Sequence, residues 1–396
     1  MHPAKSLTTE RPVPGRHDAA LAAVSHGRCL PNSFYIDSTV FEDEKKRVFA
    51  PNWSCIAFGK DVPNIGDAKP VSFLGIPLLL LRDKAGTVRV FQNVCRHRGM
   101  ILVDAPTNLR GVIRCPYHSW CYSLDGALKA TPHLGGPGVN EHPAVNKSEL
   151  GLYEVRSRVW MDLVFVNLSG TAPAFEEATA KLTTLWSEFE GQPLHHGGPD
   201  SSFSLTLRSN WKLAVENYCE SYHLPWVHPG LNSYSKLEDH YNIIEPGVFS
   251  GQGTRVYNPS LDASNRRFSN FGALSEKWSN CAEYVALYPN VLLGIHKDHF
   301  FAILLEPHSQ DRTVERVEIY YSAPEMTGDD WQDLRQRNSD MWKEVFTEDI
   351  VVVEGMQRGR HAPRFDGGTL SPVMDTATHA FHAWVAGQFD RQAPLI

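Results

Sequence analysis

The sequence predicts an α+β protein with two folded parts preceded by an arm, and three observations lead there. At 396 residues, 42% apolar, 11% aromatic and 21% charged, the chain is too long for one ordinary core and apolar enough to fill two. Between Asn52 and Asn167 short apolar runs broken by Gly, Pro, Asn and Asp read as strands, which predicts a small all-β domain. After Ser169 strand-like runs share the chain with long helical stretches, which predicts an α+β domain.

Each element follows from its pattern. Residues 35–50 set Phe41, Val48 and Phe49 among charges, the pattern of an amphipathic helix packing on the second domain or a neighbouring subunit. Strands are predicted at Val71–Phe73, Leu78–Arg82, Thr87–Phe91, Val112–Arg114, Cys121–Leu124 and Val164–Asn167. Asp125-Gly126 lies between two of the strand-like runs, and both residues tolerate positive φ, so a hairpin is expected there. Clusters of Pro and Gly at 131–144 and 192–200 punctuate the chain. Beyond them come a helix at 174–189, strands at 202–207, 302–306 and 314–322, and a long helix at 329–358. The expected division is an arm at 1–50, a β domain at 51–170 and an α+β domain at 171–396.

Charge and cysteine usage exclude several classes. The formal net charge is −7 and neither sign gathers into a run, so no nucleic-acid or anionic-membrane surface is indicated. The longest apolar stretch, Val71 to Leu81, is interrupted by Gly75 and Pro77 and is too short to cross a bilayer. Met1 to Gly27 lacks the apolar core of a secretory signal, which predicts a cytoplasmic location. Seven cysteines spread along the chain argue against a disulfide framework and leave metal ligation as the use for any paired ones.

The first constellation is Cys95-Arg96-His97-Arg98-Gly99, followed after seventeen residues beyond His97 by Cys115-Pro116-Tyr117-His118. Cys2His2 suits a structural zinc ion, but zinc modules usually pair Cys with Cys and His with His. Here each loop offers one thiolate and one imidazole, which suits a [2Fe-2S] cluster whose one iron takes both Cys and the other both His. The pattern Cys-x-His-x17-Cys-x2-His, with Arg-Gly after the first pair and Pro after the second Cys, resembles the Rieske motif. The resemblance implies a Rieske [2Fe-2S] cluster on Cys95, His97, Cys115 and His118. The first loop lacks the extra cysteine of the membrane-complex Rieske proteins, so Cys121 reads as a small buried apolar residue.

The second constellation begins at Asn210. A helix there puts Glu216, Glu220 and His223 on one face by i, i+4, i+7 spacing. Pro225 is expected to break it after His223, letting His228 turn towards the same point. Two imidazoles then lack only a carboxylate to make the facial triad of a non-haem Fe(II) site. Downstream, positions 342, 345, 346, 349, 353 and 356 form a helical stripe that is apolar except for Asp349, and a lone carboxylate there is costly unless paired or metal-bound. Glu348 reads as solvated, while Glu354 and Asp375 remain alternative carboxylates. His296/His299 and His379/His382 could also be drawn as ligands, but neither pair has a carboxylate in a position that demands explanation, so both read as structural.

The wording Glu-Asn-x-x-Glu-x-x-His-x4-His, followed by Glu348-Asp349, is similar to the catalytic domain of Rieske non-haem iron oxygenase α subunits, so the resemblance spans nearly the whole chain. It implies a helix-grip catalytic domain and mononuclear iron on His223, His228 and Asp349. Glu220 then takes the bridging-acid position that links a Rieske histidine, here His118, to His223 of the next subunit in a head-to-tail homotrimer. Most members carry Asp at the bridge. The Glu here, with the tail Met356-Gln-Arg-Gly-Arg and Ser371-Pro-Val-Met-Asp, resembles the members that act on quaternary ammonium compounds such as carnitine and glycine betaine. No Gly-rich dinucleotide fingerprint is present, so a separate NAD(P)H-dependent flavin reductase is implied. The expected activity is monooxygenation beside a quaternary or tertiary amine, with ring hydroxylation of an aromatic acid as the alternative. Readings from other classes are an electron-transfer Rieske protein without oxygenase activity and a zinc-stabilised binding protein.

Overall fold

The computed structural model describes residues 16–261 and 266–390. The first fifteen residues of the expected arm, with most of the stretch read for a secretory signal, lie outside the described residues. So does the end of the expected α+β domain beyond residue 390. The α+β class predicted from the patterns is the one observed.

Three small antiparallel sheets form the β part. Val88–Gln92, Ile76–Arg82, Asp67–Phe73 and Thr107–Asn108 make a four-stranded sheet in that order. Val112–Arg114, Cys121–Ser123 and Leu128–Ala130 make the second sheet, with the Asp125-Gly126 turn between its last two strands and Gly126 at φ 85°. Ser54–Phe58, Leu163–Asn167 and Arg156–Trp160 make the third. In the run Ile-Pro-Leu-Leu-Leu-Leu-Arg the four leucines Leu78 to Leu81 are consecutive because the strand is buried on both faces there. Leu78 and Leu80 join the core shared with the α+β part, while Leu79 and Leu81 pack with Phe91, Cys95, Trp120 and Tyr122.

An eight-stranded antiparallel sheet forms the second part. Its main path runs His195–His196, Arg312–Tyr321, His299–Ser309, Val291–Ile295, Ala282–Leu287, Phe249–Thr254 and His240–Glu245, and Ser202–Leu207 also pairs with Arg312–Tyr321. The helices are α1 (Arg16–Ser25), α2 (Ser38–Glu44), α3 (Phe175–Leu185), α4 (Trp211–Cys219), α5 (Gln332–Gly359) and α6 (Thr376–Asp390). Buried Asn290 ties the two parts together: its Oδ1 accepts from Cys55 N at 3.0 Å and its Nδ2 donates to Cys55 O at 2.8 Å.

The expected single helix over 35–50 is three pieces. Ser33–Ile36 is one turn, Asp37 leaves helical geometry at φ −94°, ψ 115° and caps α2 by accepting from Thr39 N, and Lys45–Phe49 is a π-helical turn. An Asp in this position competes for a backbone N–H and so restarts the helix. The segment packs on α4: Tyr35 Oη donates to Glu216 at 2.6 Å, Trp211 Nε1 donates to Glu44 at 2.9 Å, and Lys212 pairs with Glu44 out of contact with solvent.

The strands between 240 and 295 and the helix α6 are not predicted by the sequence pattern. Phe249–Thr254 reads Phe-Ser-Gly-Gln-Gly-Thr, a poor strand by propensity. Its glycines are required by close approach, since a Cβ on Gly251 would meet Tyr284 O at 2.0 Å and one on Gly253 would meet the Tyr241 ring at 2.4 Å. Lys212→Met tests the buried anchor: it strands the Glu44 charge and lowers stability by about 3–5 kcal/mol. An unchanged melting temperature would show that this pair does not hold the arm.

Candidate iron and iron-sulfur sites

The two Cys/His loops share one backbone pattern. Cys95 N donates to Met100 O and Gly99 N to Cys95 O, at 2.8 and 3.1 Å; Cys115 N donates to Trp120 O and Ser119 N to Cys115 O, at 2.8 and 3.0 Å. Each turn needs a positive φ at its fourth step, 75° at Gly99 and 56° at Ser119. Both thiols are buried, while His97 is exposed and His118 half-buried. The imidazole centroids lie 4.7 Å apart, and His97 stacks on Trp120 at 4.8 Å with 9° between planes.

This arrangement separates the zinc and cluster readings. Ligands of one tetrahedral zinc, each about 2.0–2.3 Å from the ion, would all lie within about 4 Å of one another. No three of these four residues bring ligand atoms within 4.8 Å of one another. A pair of buried sulfurs and a pair of outward imidazoles fit two irons instead. The Nδ1 of His118 is buried with no hydrogen-bond partner, as expected of a nitrogen facing a metal. Burial raises the Cys95 thiol pKa, so a thiolate there calls for a cation. Burial, then the charges of His118 and Arg98, hold His97 below the usual histidine value and so neutral. Tyr122, passed over in the sequence, accepts from Arg96 N at 3.1 Å, which leaves its own proton for Cys95 Sγ at 3.3 Å. Cys121 is buried, as its reading required.

The second constellation departs from the sequence reading in its local geometry. Asn210 caps α4 by accepting from Lys212 N at 3.1 Å, but the helix ends at Cys219, and Glu220 is extended at φ −123°, ψ 160°. Glu216, Glu220 and His223 therefore do not share a helical face. Glu216 turns inward, accepting from Tyr35 and lying 3.0 Å from His382 Nε2. Pro225 does not end α4; it sits in the first turn of a new helical turn, Leu224–Val227, where its missing N–H costs nothing. That turn, opened by His223 and closed by His228, brings the two rings to 5.1 Å.

Ligand atoms of His223, His228 and Asp349 lie within 4.8 Å of one another, the one such group of three or more among the described residues. Asp349 Oδ1 is 2.9 Å from His228 Nε2 and 3.6 Å from His223 Nε2. The oxygen nevertheless makes no hydrogen bond, so the three atoms converge on a common point rather than bonding one another. Such a donor set, with His228 buried and His223 and Asp349 half-buried, fits a divalent iron with open positions. Each imidazole is oriented through its other nitrogen: His223 Nδ1 lies 2.6 Å from Glu220 Oε1, and His228 Nδ1 lies 2.7 Å from Glu348 Oε2. Glu348, expected to be solvated, is thus a histidine partner. Its place beside Asp349 is what turns it to the opposite side of the His228 ring. Burial opposes the His228 imidazolium, but the Asp349 and Glu348 carboxylates reverse that and raise its pKa. A cation of higher charge at the same point gains from the same anions.

The rejected ligands have other partners. Glu354 accepts from Arg208 N at 3.0 Å, and Asp375 accepts from Ser371 N at 2.6 Å. His379 meets Val24 O at 2.9 Å, and His296 stacks on His299 at 4.1 Å. Beside the triad a pocket is walled by Tyr218, Tyr284, Phe301, Trp342 and Phe346, and no Lys or Arg lines it. Burial, then the Asp349 charge, push the Glu315 carboxyl behind it up to about 8. Among the described residues no helix is long and apolar enough to cross a membrane.

Asp349→Ala abolishes mononuclear iron binding and leaves the cluster's visible spectrum intact. Glu348→Gln keeps the iron but weakens it about 10- to 100-fold in chelator competition. Equal iron retention in both variants would remove the distinction between ligand and orienting carboxylate.

A family model described as the Rieske [2Fe-2S] domain matches residues 52–145, and one described as the ring hydroxylating alpha subunit (catalytic domain) matches 194–390. The carnitine monooxygenase oxygenase subunit of Escherichia coli (strain K12) is 27% identical over 346 residues, 85% of this chain and 86% of that protein. The chloroplastic choline monooxygenase of Amaranthus tricolor is 26% identical, over 90% of this chain and 76% of that protein. Among solved structures, the quaternary ammonium Rieske monooxygenase CntA in complex with L-carnitine aligns with a TM-score of 0.73 at 22% identity, covering 96% of this chain and 99% of that one. Naphthalene 1,2-dioxygenase from Rhodococcus sp. aligns with a TM-score of 0.73 at 17% identity, covering 93% and 96%. At those identities the structural likenesses establish the fold.

Proposed function

Because the chain belongs to the Rieske oxygenase α subunits, a Rieske [2Fe-2S] domain followed by a ring-hydroxylating-type catalytic domain, we propose that it is the oxygenase component of a monooxygenase acting on a quaternary ammonium compound. The cofactors of that family are a Rieske cluster and a mononuclear iron; when bound, they supply electrons and a place to activate O2. In this reading Cys95, His97, Cys115 and His118 hold the cluster, and His223, His228 and Asp349 hold the iron.

The observation that carries the substrate reading is the pocket wall. Five aromatic side chains and no Lys or Arg face the space beside the triad, a lining that welcomes a trimethylammonium group and offers no counter-charge to an aromatic acid. The carnitine- and choline-oxidising relatives support the same class. One oxygen atom is inserted into a C–H bond on a carbon attached to nitrogen, giving a carbinol, and the other leaves as water, with two electrons from NAD(P)H through a separate reductase and two protons from solvent. The carbinol then loses its O–H proton, the C–N bond electrons pass to nitrogen, and an aldehyde and a tertiary amine separate.

Within one chain Glu220 accepts from Tyr222 N and His223, and among the described residues no hydrogen bond joins it to His118. The bridge from His118 is therefore assigned to a neighbouring subunit of a homotrimer. Exposed apolar side chains on both faces support this: Met100 and Tyr117 at the cluster tip, Tyr222, Trp226 and Val351 around Glu220, with Trp226 and Val351 each 72% exposed. Two different patches that match head to tail close a ring when the rotation permits. We place the reaction in the cytoplasm, where NAD(P)H and a reductase are available.

Product analysis by mass spectrometry, with surrogate reductase, NADH and O2, tests the substrate class. A betaine, carnitine or choline is expected to yield aldehyde and amine coupled to O2 uptake; hydroxylated product from an aromatic acid alone would replace this reading. Glu220→Ala is expected to keep the cluster and to hold the iron more loosely, because the contact that orients His223 is lost; with both centres filled in added Fe(II), turnover still falls at least about 100-fold, as for loss of an oriented electron path. Normal turnover would remove the bridging role.

A further inference from the structure

Behind the aromatic wall, the turn between Val291–Ile295 and His299–Ser309 carries two histidines outside the iron triad. Their rings stack at 4.1 Å with 4° between planes, and His296 N donates to His299 O at 3.0 Å. Each holds one wall of the pocket. Trp342 Nε1 donates to His299 Nε2 at 3.0 Å, and Tyr284 Oη lies 3.2 Å from His296 Nε2. An indole N–H can only donate, so His299 Nε2 is the bare nitrogen and its Nδ1 carries the proton. That proton points to Asp298 Oδ1 at 2.7 Å. A chain of donors thus runs from the indole through the imidazole to a carboxylate.

The chain has consequences for the indole. A charge-assisted acceptor draws on the N–H and leaves electron density on the ring, and tryptophan already has the face that binds cations best. The same bond fixes the ring's angle, so little is lost in ordering it when a ligand arrives. Both histidines are buried, and His296 is held well below the usual range, first by burial and then by His299, so the wall brings no positive charge against a cation. Trp342 stands on α5 seven residues before Asp349, about two turns or 10 Å along the axis, and both line one pocket.

We propose that His299, backed by Asp298 and stacked on His296, is a positioning residue that sets the cation preference of the pocket by holding and polarising Trp342 as the face that receives the quaternary ammonium. The inference rests on the substrate reading above. It assigns that selectivity to His299, Asp298 and His296, which stand behind Trp342 and do not line the pocket beside the triad.

Calorimetric titration of the purified holoenzyme with two matched probe pairs tests it. Choline is compared with 3,3-dimethylbutan-1-ol, and γ-butyrobetaine with 5,5-dimethylhexanoate; each pair differs only by carbon in place of charged nitrogen. Wild type is expected to prefer the cation of at least one pair by about tenfold or more. His299→Ala lowers that ratio by about threefold or more, and His299→Gln, whose amide oxygen can accept the indole N–H, restores most of it. A merely structural role would weaken both members of a pair alike and leave the ratio unmoved. Trp342→Phe, which keeps a ring and deletes the donor, must show the same fall, and decides the matter where His299→Ala does not fold. No cation preference in wild type would overturn this proposal together with the substrate reading. A strong wild-type preference that persists in His299→Ala or in Trp342→Phe would overturn this proposal alone.

Discussion

The catalytic half depends on how two imidazoles are held. Glu220 and Glu348 each engage the Nδ1 of one histidine, which leaves the Nε2 atoms of His223 and His228 aimed at Asp349. Without those carboxylates either ring could turn, and the Asp349 oxygen would be a buried charge without purpose. Each ring thus has a carboxylate at one nitrogen and Asp349 near the other, an accumulation of negative charge that favours a cation where the Nε2 atoms and the Asp349 oxygen converge. The α4–turn–α5 geometry thus presents a donor set fitted to a cation.

The same constraint shapes the surroundings. The Asp349 field reaches Glu315 behind the pocket and helps keep that carboxyl protonated, so negative charge stays confined to the front. The pocket beside the triad is aromatic and free of Lys and Arg, and its walls are pinned from behind by hydrogen bonds to the His296/His299 turn. Asn290 and the Glu44–Lys212 pair join the sheet and α4 to the strands and arm that precede them, so the elements around the triad rest on a braced frame. At the other centre Tyr122 donates a hydrogen bond to Cys95, and the two thiols lie at a buried end with the exposed His97 and half-buried His118 imidazoles at the outer one.

Much of this was legible in the residues because metal chemistry constrains spacing. Mixed Cys/His pairs on two turns, two histidines flanking a Pro, and one acid on an apolar helical stripe each violate the ordinary pattern of their element, and such violations are readable. Where the reading erred, the cause was tertiary. Helical spacing put Glu216, Glu220 and His223 on one face, but α4 ends at Cys219 because Glu220 turns to cap the His223 turn through its N–H groups. Glu348 looked solvated because a helical wheel shows only which face a residue occupies, and not that a distant turn brings His228 to that face. Phe249–Thr254 was missed because its glycines are chosen by the approach of Tyr284 and Tyr241, which no local propensity records.

By itself, then, the sequence determined the chemistry available: ligand types, their grouping in loops and on helices, an apolar strand buried on both faces, and the absence of a cofactor fingerprint for reducing equivalents. These are properties of nearest neighbours and short periods. Only the tertiary structure decided which carboxylate meets which imidazole, which imidazole nitrogens converge with the Asp349 oxygen, and which aromatic rings form the pocket wall. Those contacts join residues more than a hundred positions apart, as between His228 and Glu348, and depend on the ångström-scale packing of sheet against helix.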